Sequence, residues 1–134
     1  MQPLAVSIRA TRRKLVAENA RDVHDALMQA ENEAHASGSM ALVDFQAANG
    51  DMISLIVGRH DDTALSYRRA GDVNPRFLSL GDASATGTVP CSREFSNQID
   101  CPRSALISRI AGLAALDEFA ATNYLPACIE WTPF

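Results

Sequence analysis

Cysteine is scarce in this chain of 134 residues. Cys91, Cys101 and Cys128 are odd in number and none stands at C-x-x-C spacing. That argues against a disulfide framework and fits free thiols in a reducing compartment. Long apolar runs are also missing, and none reaches the length of a membrane span, so no membrane partner is expected. The basic cluster Arg12-Arg13-Lys14 follows the apolar stretch around Leu4-Ala5-Val6. A secretory signal has the reverse order, so the chain is expected to stay in the cytoplasm.

Catalytic and cofactor signatures are equally sparse. Gly81-Asp82-Ala83-Ser84-Ala85-Thr86-Gly87 contains glycine but lacks the Lys-Ser/Thr end and the strand-to-helix setting of a phosphate loop. His24 and His35 lie in one helical segment without the H-x-x-x-H spacing of a zinc pair, so a solvated helix face is the expectation and no metal is called for. Cys91-Ser92-Arg93-Glu94 carries no local nucleophile signature, and a structural thiol is favoured. No cofactor is expected.

What is present describes one globular domain spanning residues 1–134. Hydrophobic residues make up 47% and charged residues 21%, which is enough apolar side chain for a core without staples. The net charge is −4, and residues 41–102 hold most of it: eight acids against five arginines. Such a stretch repels nucleic acid and favours a partner with a basic surface, although mild acidity also serves solubility alone.

Along the chain, Leu4 to Ile8 alternates weakly, as an edge strand does. Residues 15–37 read as a helix, with Val23, Ala26, Leu27, Ala30 and Ala34 at helical spacing and Gly38 suited to a left-handed cap. Residues 41–57 are a hairpin. A two-residue Asn-Gly loop would pair Phe45 with Ser54 and mix polar and apolar groups on each face. A three-residue loop with Gly50 left-handed aligns Val43 and Phe45 with Ile53 and Leu55, and is expected to win. Arg59-His60-Asp61-Asp62 makes the next turn, and Ala64 to Arg68 is a third strand with Leu65 and Tyr67 inward. Residues 71–103 are rich in Gly, Asp, Asn, Ser and Pro, with short strands at Phe77–Leu80 and Thr88–Phe95, the latter edge-like or bulged at Pro90. A second helix is expected from Ser104 to Ala121, with Ile107, Ile110, Leu113, Ala114, Leu116 and Ala120 as its apolar face. Gly112 is read as room for close helix–sheet contact. Asn123 and Pro126 stop this helix, and Ala127 to Thr132 forms a last strand with Ile129 and Trp131 on the core side. The fold class is α+β: an antiparallel sheet, meander plus C-terminal strand, packed against an N-terminal and a C-terminal helix.

Three stretches carry a family resemblance. The first is Ala64-Leu65-Ser66-Tyr67 with the Gly71-Asp72 loop. The second is Phe77-Leu78-Ser79-Leu80-Gly81-Asp82 followed by Glu94-Phe95. The third is the tail Glu118-Phe119-Ala120-Ala121-Thr122, then Pro126 and Ile129-Glu130-Trp131. Together they resemble the first-numbered family of immunity proteins from bacterial polymorphic-toxin systems, over residues 41–134 and most strongly from 71 onward. The resemblance implies a non-enzymatic cytoplasmic protein that masks a cognate toxin, often a nucleic-acid deaminase. An acidic partner can occupy the basic groove of such a toxin, speed encounter and exclude substrate. The toxin-facing surface is accordingly expected on residues 60–103, at Asp61, Asp62, Asp72, Asp82 and Glu94, with Arg76 and Phe77 as secondary candidates. Three alternatives stay open: immunity against a nuclease or other toxin, a small-molecule-binding or hydrolytic domain using Cys91 and His60, and a structural subunit.

Overall fold

The computed structural model describes residues 1–94 and 97–133, without the side chains of residues 93, 94 and 97. At its centre stands the hairpin of β3 (Ala41–Gln46) and β4 (Met52–Val57). The Ala47 N–H donates to the Asp51 carbonyl at 2.9 Å, which closes a three-residue loop with Gly50 left-handed at φ 94°. Val43 therefore pairs with Leu55, Phe45 with Ile53, Asp44 with Ser54 and Gln46 with Met52. This is the register the face pattern favours, because a slip of one residue would turn Phe45 out of the core. β6 (Leu65–Arg68) pairs with the free side of β4 and buries Leu65 and Tyr67. β7 (Phe77–Leu80) and β11 (Glu130–Pro133) follow on that side; β1 (Leu4–Ile8) and β2 (Arg13–Ala17) follow on the other. The antiparallel order is β11-β7-β6-β4-β3-β1-β2.

Two expectations shift at the N-terminal side. Leu4–Ile8 is not the edge, because residues 13–17 pair along it instead of opening a helix. The helix α1 (Ala20–Ser37) starts only after Asn19, whose side-chain oxygen accepts the Asp22 N–H at 2.8 Å. Val23, Ala26, Leu27, Ala30 and Ala34 are buried as expected, and Gly38 at φ 68° caps the end.

The second helix also starts late. Arg103–Ala105 forms a 3-10 turn, and β10 (Ile107–Ser108) is held against β5 (Asp62–Thr63) before α2 (Arg109–Thr122) begins. The Ser108 hydroxyl, not that of Ser104, accepts the capping Ala111 N–H at 3.1 Å. The buried face is Gly112, Ala115, Leu116, Phe119 and Ala120, whereas Ile110 is 80% exposed and Ala114 is also exposed. Gly112 sets this phase. A Cβ there would stand 2.5 Å from Thr63 Cγ2 and 3.3 Å from Leu65 Cδ1, so the helix rests on the sheet at this point. Ile110, two residues earlier, is rotated by about 200° to the far side. Asn123 at φ 61° ends the helix, as its position suggested. The last strand is shorter than expected, with Ala127–Ile129 lying before it.

Both helices cover one face of the sheet over Val6, Ile8, Val43, Phe45, Ile53, Leu55, Leu65 and Tyr67. The Tyr67 ring meets Phe119 edge-on at 5.7 Å and Trp131 at 6.1 Å. The Trp131 indole N–H donates to the Pro126 carbonyl at 2.8 Å, which satisfies its polar end. The opposite face carries a second, smaller core. There β8 (Thr88–Glu94) and β9 (Asn97–Pro102) form a separate two-stranded ribbon, bulged between Pro90 and Ser92. The bulge was foreshadowed by Pro90; the strand β9 was not. Val89, Cys91, Cys101 and Ala105 pack with Ile56 and Leu42. Beside them Asp44, only 7% exposed, accepts two bonds from Arg9 (2.7 and 3.1 Å) and one from Ser54 (2.5 Å).

Gly112→Ala is expected to destabilise the fold. Alanine gains about 1 kcal/mol of helix propensity over glycine. The forced contact with Thr63 outweighs it, since overpacking typically costs about 1–3 kcal/mol and the Thr63 hydroxyl is anchored on the Ile56 carbonyl at 2.9 Å. A urea titration that leaves the variant as stable as wild type would remove the close-approach argument.

Candidate functional site

The strand registers sort the loops to the two ends of the sheet. β4 finishes and β6 begins at one end, which carries the turn 58–62 and the loop 81–87. The opposite end carries the loop 69–76 and the hairpin loop 48–50. Asp61, Asp62 and Asp82 therefore share one end, while Asp72, Arg76 and Phe77 stand at the other. The Glu94 side chain lies outside the described residues.

The turn at the first end is tightly wound. Gly58 (φ 105°) and His60 (φ 26°) are both left-handed. Such a backbone is uncommon for a residue with a side chain and needs support from its surroundings. Arg59 supplies some of it through two bonds to the Asp62 carboxylate, at 2.6 and 3.3 Å. The Arg109 N–H supplies more by donating to the Asp61 carbonyl at 2.9 Å, tying the turn to the start of α2. His60 stacks on His35 with ring centroids 4.6 Å apart. The Asp61 carboxylate is exposed and makes no hydrogen bond or ion pair among the described residues.

The other candidates are engaged locally. Asp82 accepts from the Ser84 hydroxyl (2.6 Å) and backbone N–H (3.0 Å), and these bonds hold its carboxyl below the usual range. Asp72 receives two bonds from Arg76, at 2.9 and 3.2 Å, and this guanidinium is the main reason its carboxyl is held low. Phe77 is half-buried with the Arg69 guanidinium 5.6 Å above its ring. Sequence reasoning missed these pairings although the spacing signalled them: Arg59 and Asp62 stand three apart, Asp72 and Arg76 four apart. Charge available to a partner is therefore less than charge counted.

Cys91 is no better placed for catalysis. Cys91 and Cys101 are both buried, and the neighbouring Cys101 thiol together with burial pushes the Cys91 thiol up. A nucleophilic cysteine needs the opposite shift. No hydrogen bond joins Cys91 to His60 among the described residues. No three His, Cys, Asp or Glu side chains cluster as metal ligands among them either.

With this geometry in place, the comparison with known families decides the class. Residues 11–133 match the family described as immunity protein Imm1. The chain belongs to the Imm1 immunity protein family. No curated protein matches it. Membership implies a cognate toxin as partner and points to a non-enzymatic role, as the resemblance suggested. For an Imm1 protein the question is which of its surfaces meets that toxin; Asp62 and Asp72 are ion-paired within the chain, and among the described residues Asp61 is not.

Two measurements check this electrostatic description. Asp61→Asn is expected to keep folding stability within about 0.5 kcal/mol of wild type, while Asp62→Asn removes the charge and one of the two acceptors that Arg59 meets and lowers the denaturation midpoint. In an NMR titration of the side-chain carboxyls, Asp72 should titrate below ordinary aspartate. Its contribution to stability is present above the unfolded pKa and is lost as pH falls through the lower folded value. Arg76→Gln should return the Asp72 midpoint to the ordinary range, and an unmoved midpoint would show that the pair does not persist in solution.

Proposed function

We propose that this chain is an immunity protein whose 134 residues act as one domain, in the cytoplasm of the producing cell, to bind and inhibit a toxin that acts on nucleic acid, foremost a deaminase. The observation that carries the reading is the family match over residues 11–133. The site adds a physical means. A toxin that holds nucleic acid presents a basic groove, and the turn at Asp61 and Asp62, with Asp82 at the same end, offers carboxylates to it. A deaminase must admit a base to a pocket around its zinc-activated water, so a turn seated at the entrance suffices to stop it. Neither nucleic acid nor membrane is a partner in this reading. No described helix is long and apolar enough to cross a membrane.

The test begins with capture from native host lysate and identification by mass spectrometry. The expected catch is the C-terminal domain of a large secreted protein. That domain, purified, should convert cytosine to uracil in an oligonucleotide, and a stoichiometric amount of this chain should suppress the reaction. Cleavage of the oligonucleotide would make the toxin a nuclease. Charge reversal at Asp61 with Asp62, and separately at Asp72 with Asp82, should raise the concentration needed for inhibition in the first variant more than in the second. Full protection by both variants would refute the acidic contact while leaving the immunity role intact.

A further inference from the structure

α2 is apolar around its whole circumference, yet the fold covers only one side of it. Its sequence, RIAGLAALDEFAAT, carries charge at only Arg109, Asp117 and Glu118. A helix of this kind ordinarily has apolar neighbours all round. Here Gly112, Ala115, Leu116, Phe119 and Ala120 are covered, while Ile110 is 80% exposed and Ala114 and Ala121 also face outward. On the facing side of α1, Met28 is 58% exposed.

Ile110, Ala114 and Met28 form a strip with defined ends. His24 bonds Asp117 at 2.6 Å, and Arg109 bonds Glu31 through two contacts of 2.6 and 2.7 Å. Both bonds join α1 to α2, which run antiparallel. Met28 lies between His24 and Glu31 on its helix, and Ile110 and Ala114 lie between Arg109 and Asp117 on theirs. The polar groups that bracket the strip are already matched to each other, so an apolar partner surface can cover the middle without stranding a charge.

The surroundings specify the partner's charge. α1 carries Asp22, Asp25, Glu31 and Glu33 against Arg21, and α2 carries Asp117 and Glu118 against Arg109. The two helices together are net −4, the net charge of the whole chain, so the rest of the molecule balances to zero. Glu33 is met by Arg13 at 3.0 Å, Asp25 by Arg21 at 3.9 Å and Glu31 by Arg109, which leaves Asp22, Asp117 and Glu118 as the acidic excess. A second copy docked on this layer would bring like charge against like charge. A basic protein surface would not.

We infer that the outward face of α1 and α2, centred on Ile110 and Met28, is the surface on which the cognate toxin docks, through an apolar patch with a basic rim. The inference rests on the immunity reading above and deepens it. The Arg109 N–H bond to the Asp61 carbonyl makes the surface continuous with the acidic turn, so Asp61 forms part of its rim. Apolar anchors at the centre carry most of the binding energy, and the acidic rim steers the approach.

The test titrates the purified cognate toxin domain with wild-type chain, Ile110→Glu and Met28→Glu by calorimetry, with thermal midpoints measured alongside. Both positions are exposed, so the midpoints should not move, whereas affinity should fall roughly tenfold or more in each variant. Added salt should weaken the wild-type complex. Wild-type affinity in both variants overturns the surface and leaves the immunity role standing. Failure of the wild-type chain to bind or inhibit the toxin removes the immunity reading and the surface with it. Sedimentation of the chain as a dimer that Ile110→Glu makes monomeric would assign the face to a second copy and overturn the inference.

Discussion

The backbone bond between Ala47 and Asp51 decides which way the core faces. By holding the central hairpin to a three-residue loop, it sends Val43, Phe45, Ile53 and Leu55 to the side where the helices lie. It sends Asp44 and Ser54 to the other side. There Arg9 reaches across from the turn after β1 and fixes the carboxylate. A carboxylate so far from water is tolerable only with such partners, and stripping them would leave a buried charge at a cost of about 3–5 kcal/mol. One local choice thus commits the chain to an apolar helical side and a mixed reverse side with its own small core.

From that commitment the placement of everything else follows. β5 can bridge to β10 only because β4 ends where it does, and this bridge delays α2 until Ser108. The delayed start brings the Arg109 N–H to the Asp61 carbonyl and turns Gly112 onto Thr63. Position and phase of α2 are set together, so the acidic turn and the exposed apolar strip come to lie side by side. The two surface features share one structural cause.

Legibility in the sequence tracked the range of the forces involved. The central hairpin, the third strand, the left-handed cap at Gly38, the helix stop at Asn123 and the bulge at Pro90 all rest on local backbone preference and alternation, and all could be read. Residues 15–17 read as helix because an exposed edge strand keeps little alternation, the only buried member of β2 being Ala17. β9 was missed since its apolar signal is confined to Ile99 and Cys101. For α2 the apolar residues were visible but their phase was not. A helix apolar on every side gives no sign of which side will be covered, and the deciding contact, Gly112 on Thr63, joins residues far apart in the sequence. The candidate acids were found by counting charge, which is silent on whether each carboxylate keeps its charge for a partner or spends it on a nearby arginine.

The edges of the large sheet carry a consequence for how any partner must approach. β2 ends the sheet on one side with exposed Arg13 and Lys14, and β11 ends it on the other with Pro133, which has no N–H to offer. Charged and proline-bearing edges discourage the addition of a further strand. Neither border of this sheet therefore favours templated pairing with a further strand. Recognition by main-chain augmentation is equally disfavoured. At these two borders a partner has to read side chains.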